Sequence, residues 1–351
     1  MTIPFPTDRV TIARNDDVYE CFPDVALLAD NTLLCVYRES EGHVGREYTH
    51  LVYRTSSDFG HTWSGRRVLI EAARSTDSDF EKWNCPRVGQ LSDGRVYILC
   101  DKFPVDRGHE DEGSSTFVWW RRDDDMWDGP HDTGVFGIVP DRLCELPSGR
   151  LLLATHWHDS ETKHLTQTVA YSDDGGATWS DRITVASSDE LNLCEGSILR
   201  LPGDELVCYM RENSGLGLPM YKSVSTDDGM TWSGIAPTLM AGGHRAVSGL
   251  TSSGAVMVTY RQTIGGTGRS PQNTFAYRES IESALELDPR KQSGTILPID
   301  HDRSPNRDNS YTGWVNLPDA RIFIVNYIVD DAPRAQIRGY WIDEDQFTAP
   351  F

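Results

Sequence analysis

The chain has 351 residues, and 53 Asp and Glu against 33 Lys and Arg give a formal net charge of −20. So acidic a surface repels polyphosphates and excludes nucleic acid as a natural partner. No window approaches the ~18–20 apolar residues of a membrane-crossing helix, and Met1–Val10 lacks the basic-then-apolar run of a signal peptide; the chain as it stands is expected in the cytoplasm, or outside the cell if a leader precedes it.

Taken in order, Arg9–Ala13 (RVTIA) predicts a strand with no hairpin of its own. From there one grammar recurs: an apolar run, a short turn of Gly, Asp, Asn or Ser, then a run alternating with period two, which is the hairpin signal. It reads LLADNTLLCVY from Leu27, GQLSDGRVYIL from Gly89, CELPSGRLLLA from Cys144, LRLPGDELVCY from Leu199, GLTSSGAVMVTY from Gly249 and VNLPDARIFIVNY from Val315. The turns fall near Asp30, Asp93, Ser148, Gly203, Ser253 and Asp319, 50–66 residues apart, room for roughly four strands of ~5–6 residues with their turns. A repeat of that period predicts an all-β, six-bladed propeller of four-stranded antiparallel blades. Each blade buries its faces only against neighbours, so residues 1–351 are expected to form one closed domain. Pairing the last strand, Gln336–Ile342, with Arg9–Ala13 would remove a sheet edge and close the ring. Glu279–Leu287 is the one short helix expected.

A second signature, S-x-D-x-G-x-T-W, occurs at Ser56–Trp63, Ser172–Trp179 and Ser225–Trp232. Asp58, Asp174 and Asp227 can accept turn N–H groups, Gly60, Gly176 and Gly229 tolerate positive φ, and each Trp fills the apolar space beneath. These turns join outer strands and do no chemistry. With the blade repeat, they make the chain resemble the Asp-box (BNR-repeat) proteins, whose best-known members are the sialidases, six-bladed propellers that cleave terminal acidic sugars.

Chemistry in a propeller sits where the inner strands open onto the central funnel. The starts of those strands read Phe22-Pro23-Asp24, Cys85-Pro86-Arg87, Pro140-Asp141-Arg142, Cys194-Glu195-Gly196, His244-Arg245-Ala246 and Ser310-Tyr311-Thr312. The facing strand ends read Tyr37-Arg38-Glu39, Asp101-Lys102, His156-Trp157-His158, Arg211-Glu212, Arg261-Gln262 and Asn326-Tyr327. Arg38, Arg87, Arg142, Arg211, Arg245 and Arg261 thus converge on one axis. Either they grip an anion with their planar forks, or they pair structurally with Asp24, Asp141 and Glu39.

Residue by residue, Cys194–Leu201 followed by Arg211 is similar to the sialidase segment bearing the catalytic Glu and the second arginine of its carboxylate clamp. Asn309–Thr312 is similar to the segment bearing the Tyr nucleophile. The resemblance implies that Tyr311 attacks the anomeric carbon while Glu195 draws off its proton. A free phenol, with its pKa of ~10, is otherwise a poor nucleophile. Two positions depart from the pattern. The family's Arg-Ile-Pro triplet is replaced by Cys21-Phe22-Pro23, and the loop supplying its acid/base Asp reads Arg38-Glu39-Ser40-Glu41-Gly42-His43-Val44-Gly45. His43 is the natural substitute, with Glu39 and Glu41 as alternatives. The third clamp arginine is Arg245, Arg261 or Arg269, and a rebuilt clamp would comprise Arg87, Arg142, Arg211 and Arg245.

The reading is a glycoside hydrolase of sialidase type acting on a terminal acidic sugar, sialic or uronic. Its alternatives are a His/Tyr-dependent lyase or hydrolase of uronic-acid glycans, or a non-catalytic glycan-binding propeller. Asp24, Asp141, His156 and His158 join the arginines as candidate substrate contacts, Trp157 as a ring-stacking surface. Asp123-Asp124-Asp125 is a degenerate turn where an Asp box has been lost, and Gly265-Gly266-Thr267-Gly268 is a funnel loop without the strand-then-helix context of a phosphate cradle. Seven cysteines, with no C-x-x-C pair, read as small buried residues. No metal or cofactor is expected.

Overall fold

The computed structural model describes residues 8–74, 80–104, 114–124, 126–159, 161, 163–263 and 270–347. After β1 (Arg9–Ala13), blade one is β2 (Tyr19–Leu27), β3 (Leu33–Ser40), β4 (Tyr48–Ser56) and β5 (Arg67–Ala73). In blade two the inner strand is split into β6 (Glu81–Trp83) and β7 (Arg87–Gln90); both pair with β8 (Val96–Pro104), followed by β9 (Ser115–Arg121) and β10 (Trp127–Phe136). Blade three is β11 (Cys144–Glu145), β12 (Leu151–His158), β13 (Leu165–Ser172) and β14 (Ile183–Ala186); blade four is β15 (Leu193–Arg200), β16 (Leu206–Glu212), β17 (Pro219–Ser225) and β18 (Ala236–Ala241). Blade five is β19 (Gly243–Leu250), β20 (Val256–Thr263), β21 (Gln272–Glu279) and β22 (Gly294–His301). Blade six is β23 (Gly313–Asn316), β24 (Ile322–Ile328) and β25 (Gln336–Ile342), with β1 as its outer strand. All pairings are antiparallel, and all six hairpin turns read from the sequence join the first and second strands of a blade.

The apolar alternation of each strand is spent on the neighbouring blade. Six buried clusters occupy the six blade junctions. Val36 and Leu51 meet Val88 and Ile98 between blades one and two, and Leu99 meets Leu151 and Leu153 between blades two and three. Leu152 meets Ile198 next, Val207 meets Val258, and Met257 meets Ile324. The sixth cluster joins Val25 and Cys35 of blade one to Val325 and Ile337 of blade six, with Ile12 of β1 beneath. β1 lies along β25 in the register Arg9↔Tyr340 to Ala13↔Ile337, so the first strand of the chain completes the last blade.

The S-x-D-x-G-x-T-W turns connect the third and fourth strands of blades one, three and four. In the first, Ser56 Oγ donates to Asp58 Oδ1 (2.8 Å) and accepts from Gly60 N–H (2.9 Å), and Asp58 accepts from Thr62 N–H at 2.8 Å. Gly60 has φ +95°, and a Cβ there would meet the Phe323 ring at 2.8 Å. In blade five the corresponding connection holds α1 (Ile281–Leu285), N-capped by Ser280, whose Oγ accepts Ser283 N–H at 3.2 Å. No described helix is long and apolar enough to cross a membrane. All seven cysteines are free and six are buried.

The seam between β1 and blade one is a point where the ring can be loosened without touching the funnel. Ile12→Ala removes most of a side chain that is 4% exposed and should cost about 2–5 kcal/mol. Arg9→Ala, at the exposed end of the same strand, should stay within about 0.5 kcal/mol. Chemical denaturation of the two variants checks the contrast.

Candidate active site

Antiparallel pairing brings the starts of the inner strands and the ends of the second strands to one face of the disc. Five inner strands start with a kink: Phe22, Val139, Glu195, Arg245 and Ser310 have φ of 55°, 51°, 50°, 52° and 69°. In three of these blades the ladder shifts register across the kink, between Cys21 and Asp24, Cys194 and Ser197, and His244 and Val247. Blade two has Cys85 at this place, without a positive φ, and its inner strand is split between β6 and β7 instead. A bulge lets consecutive residues face the same way. Ile138 and Val139, and likewise Cys194 and Glu195, therefore line one cavity side by side.

That cavity has a volume of about 260 Å³. On its wall, Tyr311 donates its hydroxyl to Glu195 Oε1, and Arg211 Nη1 donates to Glu195 Oε1 (2.9 Å) and to the Tyr311 oxygen (3.2 Å). The side chains come from blade four and from the segment leading into blade six, brought together by ring closure. Arg261 lies 5.1 Å from the Tyr311 ring centroid. Burial alone would raise the Glu195 carboxyl. Arg211, then His156 and the Tyr311 hydroxyl, outweigh it and hold Glu195 well below the usual carboxylate range. Burial and the Glu195 charge push the Tyr311 phenol far up. The resting proton therefore sits on the phenol, beside an ionised carboxylate. Glu195 Oε2 is buried without a hydrogen-bond partner.

His43 lines the same cavity, and its Nδ1 is 2.5 Å from Asp308 Oδ2. Asp308 also accepts from Tyr327 (2.7 Å) and Tyr19. Burial would raise its carboxyl, but His43, Arg261 and Tyr19 hold it at about 2, so it is ionised at neutral pH. An acceptor-only carboxylate puts the imidazole proton on Nδ1 and leaves Nε2 for a ligand. Phe22 joins the two halves: its ring lies 5.2 Å from His43 and 5.0 Å from Tyr311, between centroids.

The arginine clamp expected from sequence is not assembled. Of its four members only Arg211 lines the cavity. Arg142 is committed to Asp24 (Nε–Oδ2 3.0 Å) and to the Trp314 and Val25 carbonyls. Arg87 lies 3.7 Å from Asp24 and donates to Thr312 O (3.1 Å), and fully buried Arg245 donates to Pro140 O (3.1 Å). Arg38 is fully buried, donates to Asn84 Oδ1 (3.2 Å) and the His43 carbonyl, and lies 4.5 Å over the Phe22 ring. Asp24 and Asp141 are blade staples rather than substrate contacts. Each is buried and accepts a backbone N–H of another blade, Val88 at 3.0 Å and Ile198 at 2.9 Å.

His156 lines the cavity and accepts the Glu195 N–H on Nδ1 at 3.2 Å, whereas His158 does not line it. Trp157 packs against Arg182, 4.3 Å from the ring centroid. Glu39 is held by Arg66 (2.7 Å) and Glu41 accepts Arg46 N–H (2.5 Å), and neither reaches the cavity. Asp124 closes its turn by accepting Met126 N–H at 3.2 Å. Asp125, Gly265–Gly268 and Arg269 lie outside the described residues. No group of three or more His, Cys, Asp or Glu among the described residues could hold a metal.

Three residues escaped the sequence reading: Asp308, and Lys82 and Asn84, which line the cavity from the split strand of blade two. Asp308 stands one residue before the Asn309–Thr312 segment, and its acidic character was the available signal. Lys82 had none, because β6 follows no blade pattern.

Among solved structures, the chain is similar to a Dyadobacter fermentans protein of unknown function (19% identity, TM-score 0.73, covering 96% of this chain and 98% of that one). It is similar to the leech intramolecular trans-sialidase complexed with 2,7-anhydro-Neu5Ac (12%, TM-score 0.67, 98% and 71%). A third is the Penicillium chrysogenum alpha-L-arabinanase complexed with arabinobiose (14%, TM-score 0.63, 97% and 99%). None of the curated proteins compared matches the chain. At these identities the likenesses show the fold alone. The BNR repeat-like domain family matches residues 108–324, more than half the sequence, and the chain belongs to that family.

Proposed function

We propose that the protein is a glycoside hydrolase of sialidase type that removes a terminal acidic sugar, sialic or uronic, from a glycan. The observation that carries this reading is the hydrogen-bonded set Tyr311, Glu195 and Arg211 on the wall of a sugar-sized cavity. A neutral phenol approaches an anionic sugar without the repulsion a carboxylate nucleophile would meet. In the first half-reaction Tyr311 Oη bonds to the anomeric carbon as the bond to the leaving oxygen breaks. The phenolic proton passes to Glu195, and the His43 imidazolium gives its proton to the leaving oxygen. In the second half water attacks the anomeric carbon, His43 takes a water proton, and Tyr311 leaves as it recovers its own from Glu195. Asp308 orients His43 and stabilises the imidazolium, the role a carboxylate plays behind any catalytic histidine.

Proton transfer from Tyr311 to Glu195 is uphill in the empty site, since burial raises the one and cations depress the other. The positive charge that develops on the sugar in the transition state favours phenolate beside it. The Arg211 N–H and the Arg261 guanidinium above the ring favour it further.

A β-elimination on a uronic-acid glycan is the second reading. It is favoured by His43 and Tyr311 flanking Phe22 across one cavity, a base and an acid without a full arginine clamp. Elimination yields an unsaturated product absorbing in the ultraviolet, and hydrolysis does not.

Tyr311→Phe should abolish release of sugar from sialosides and uronosides while costing about 1 kcal/mol of stability, the worth of one hydrogen bond. An active Phe variant discards both readings, and binding with no product from the wild type leaves a lectin-like propeller. Asp308→Asn should lower kcat by roughly 10²–10⁴-fold on natural linkages, the range of general-acid assistance. An aryl glycoside, whose leaving group needs little protonation, should be spared. Equal losses on both substrates would remove His43 and Asp308 from the acid's role.

A further inference from the structure

Two cations beside the Glu195–Tyr311 pair each have an anion of their own. Arg211 faces Glu195 at 2.9 Å and Arg261 faces Asp308 at 3.7 Å. Lys82 is 5% exposed, lines the cavity, and among the described residues forms no ion pair. Its Nζ donates to the Val44 carbonyl at 2.6 Å and lies 4.6 Å from the Phe103 ring centroid, which leaves N–H capacity for a ligand. Asp101 is the nearby carboxylate. It already accepts from Asn84 Nδ2 (2.9 Å), Cys85 N–H (2.9 Å) and Val139 N–H (2.9 Å), and forms no ion pair with Lys82 among the described residues. A buried ammonium with a carbonyl and an aromatic face for company is costly unless an anion arrives.

We propose that Lys82, with Asn84 beside it on the blade-two wall, is the anchor for the anionic substituent of the bound sugar, a carboxylate or a sulfate, and that this lysine rather than an arginine cluster sets the preference for acidic substrates. The inference rests on the cavity being the sugar site and is independent of whether Tyr311 acts as nucleophile. It places the anionic group on the blade-two wall, whereas the Glu195 carboxylate enters the cavity from blade four.

The pH dependence follows from the groups that face Lys82. Burial and the neighbouring Arg38 guanidinium pull its ammonium down, Asp101 and Cys85 oppose this, Arg46 adds to the depression, and the result is about 8. His43, which shares the cavity with Lys82, is engaged by Asp308, and β4, β5 and β8, which pack against β6, also carry Tyr48, His50, Glu71 and Lys102. Lys82 is charged below about 8 and neutral above, so its grip on an anion is present at pH 7 and fades by pH 9.

Calorimetric titration of the whole protein with D-glucuronate, N-acetylneuraminate and galactose 6-sulfate, against neutral glucose and galactose, tests the proposal. At pH 7 at least one anionic sugar should bind more tightly than the neutral ones, and its advantage should shrink up to about tenfold at pH 9 as the lysine loses its proton. The carboxylate and sulfate arms tell which substituent fits. Lys82→Met should lower anionic affinity roughly ten- to hundredfold and erase the pH effect. Anionic sugars that bind no better than neutral ones, or a Met variant that keeps the preference, overturn the proposal. Should the Met variant fold poorly, Lys82→Arg, which stays charged at pH 9, should keep the anionic preference and lose its pH effect, and an Arg variant that still loses its preference at pH 9 overturns the proposal. Because the readout is binding, failure of the hydrolase reading shows separately, as absence of product.

Discussion

The left-handed residue at the start of the inner strands is the constraint on which the site depends. Outside glycine such a backbone costs about 1–3 kcal/mol, and it recurs at Phe22, Val139, Glu195, Arg245 and Ser310. What holds it is the residue two places on. Asp24 accepts Val88 N–H, Asp141 accepts Ile198 N–H and Ser197 Oγ accepts Ser248 N–H, each reaching the inner strand of another blade. The kink thus frees a side chain to leave the plane of its strand while the following residue ties its blade into the ring. Glu195 meets a tyrosine more than a hundred residues away because the same backbone device is repeated around the axis.

The electrostatics of the centre follow from those ties. Carboxylates that accept backbone N–H groups inside a disc need countercharge, and Arg142 and Arg87 supply it to Asp24. Burial and the adjacent Arg245 draw Arg87 down to about 10, a sign of how tightly cations are packed there. Two of the axial arginines of this acidic chain, Arg142 and Arg87, thus neutralise one of its own staples. Among the arginines of the described residues Arg211 lines the cavity, and Lys82 lines it too without an ion pair.

Much of the architecture was legible because it is written in turns. Asp30, Asp93, Ser148, Gly203, Ser253 and Asp319 mark hairpins whose local chemistry is sufficient to specify them, and period-two alternation does the rest. Glu195, Tyr311 and Arg211 were placed on the funnel by their positions at strand ends and His43 by the resemblance of its loop to the one that carries the sialidase acid/base, and all four line the cavity. The clamp was misread for a physical reason. Position at a strand start says that a residue is near the axis, but not whether it points into the cavity or into the disc. Arg245 occupies the kinked position itself, as Glu195 does, yet it is fully buried against Pro140 while Glu195 lines the cavity. Lys82 was missed because β6 follows no blade pattern, and Asp308 because it stands just before the segment that the resemblance singles out.

The replacement at Cys21-Phe22-Pro23 shows how the loss of one charge reorganises the rest. A guanidinium there would stand beside Arg38, which already approaches the Cys21 thiol and stacks over Phe22. With Phe22 in place, the floor between Tyr311 and His43 is apolar, and its ring touches both. An apolar floor excludes water from the space between a would-be nucleophile and a would-be acid, and it strengthens every remaining charge interaction around it. Fewer cations are then needed to hold an anionic ligand. A single buried ammonium in a low-dielectric wall can do what a solvated cluster of guanidinium groups does elsewhere, at the expense of a narrower pH range set by lysine's readier loss of its proton.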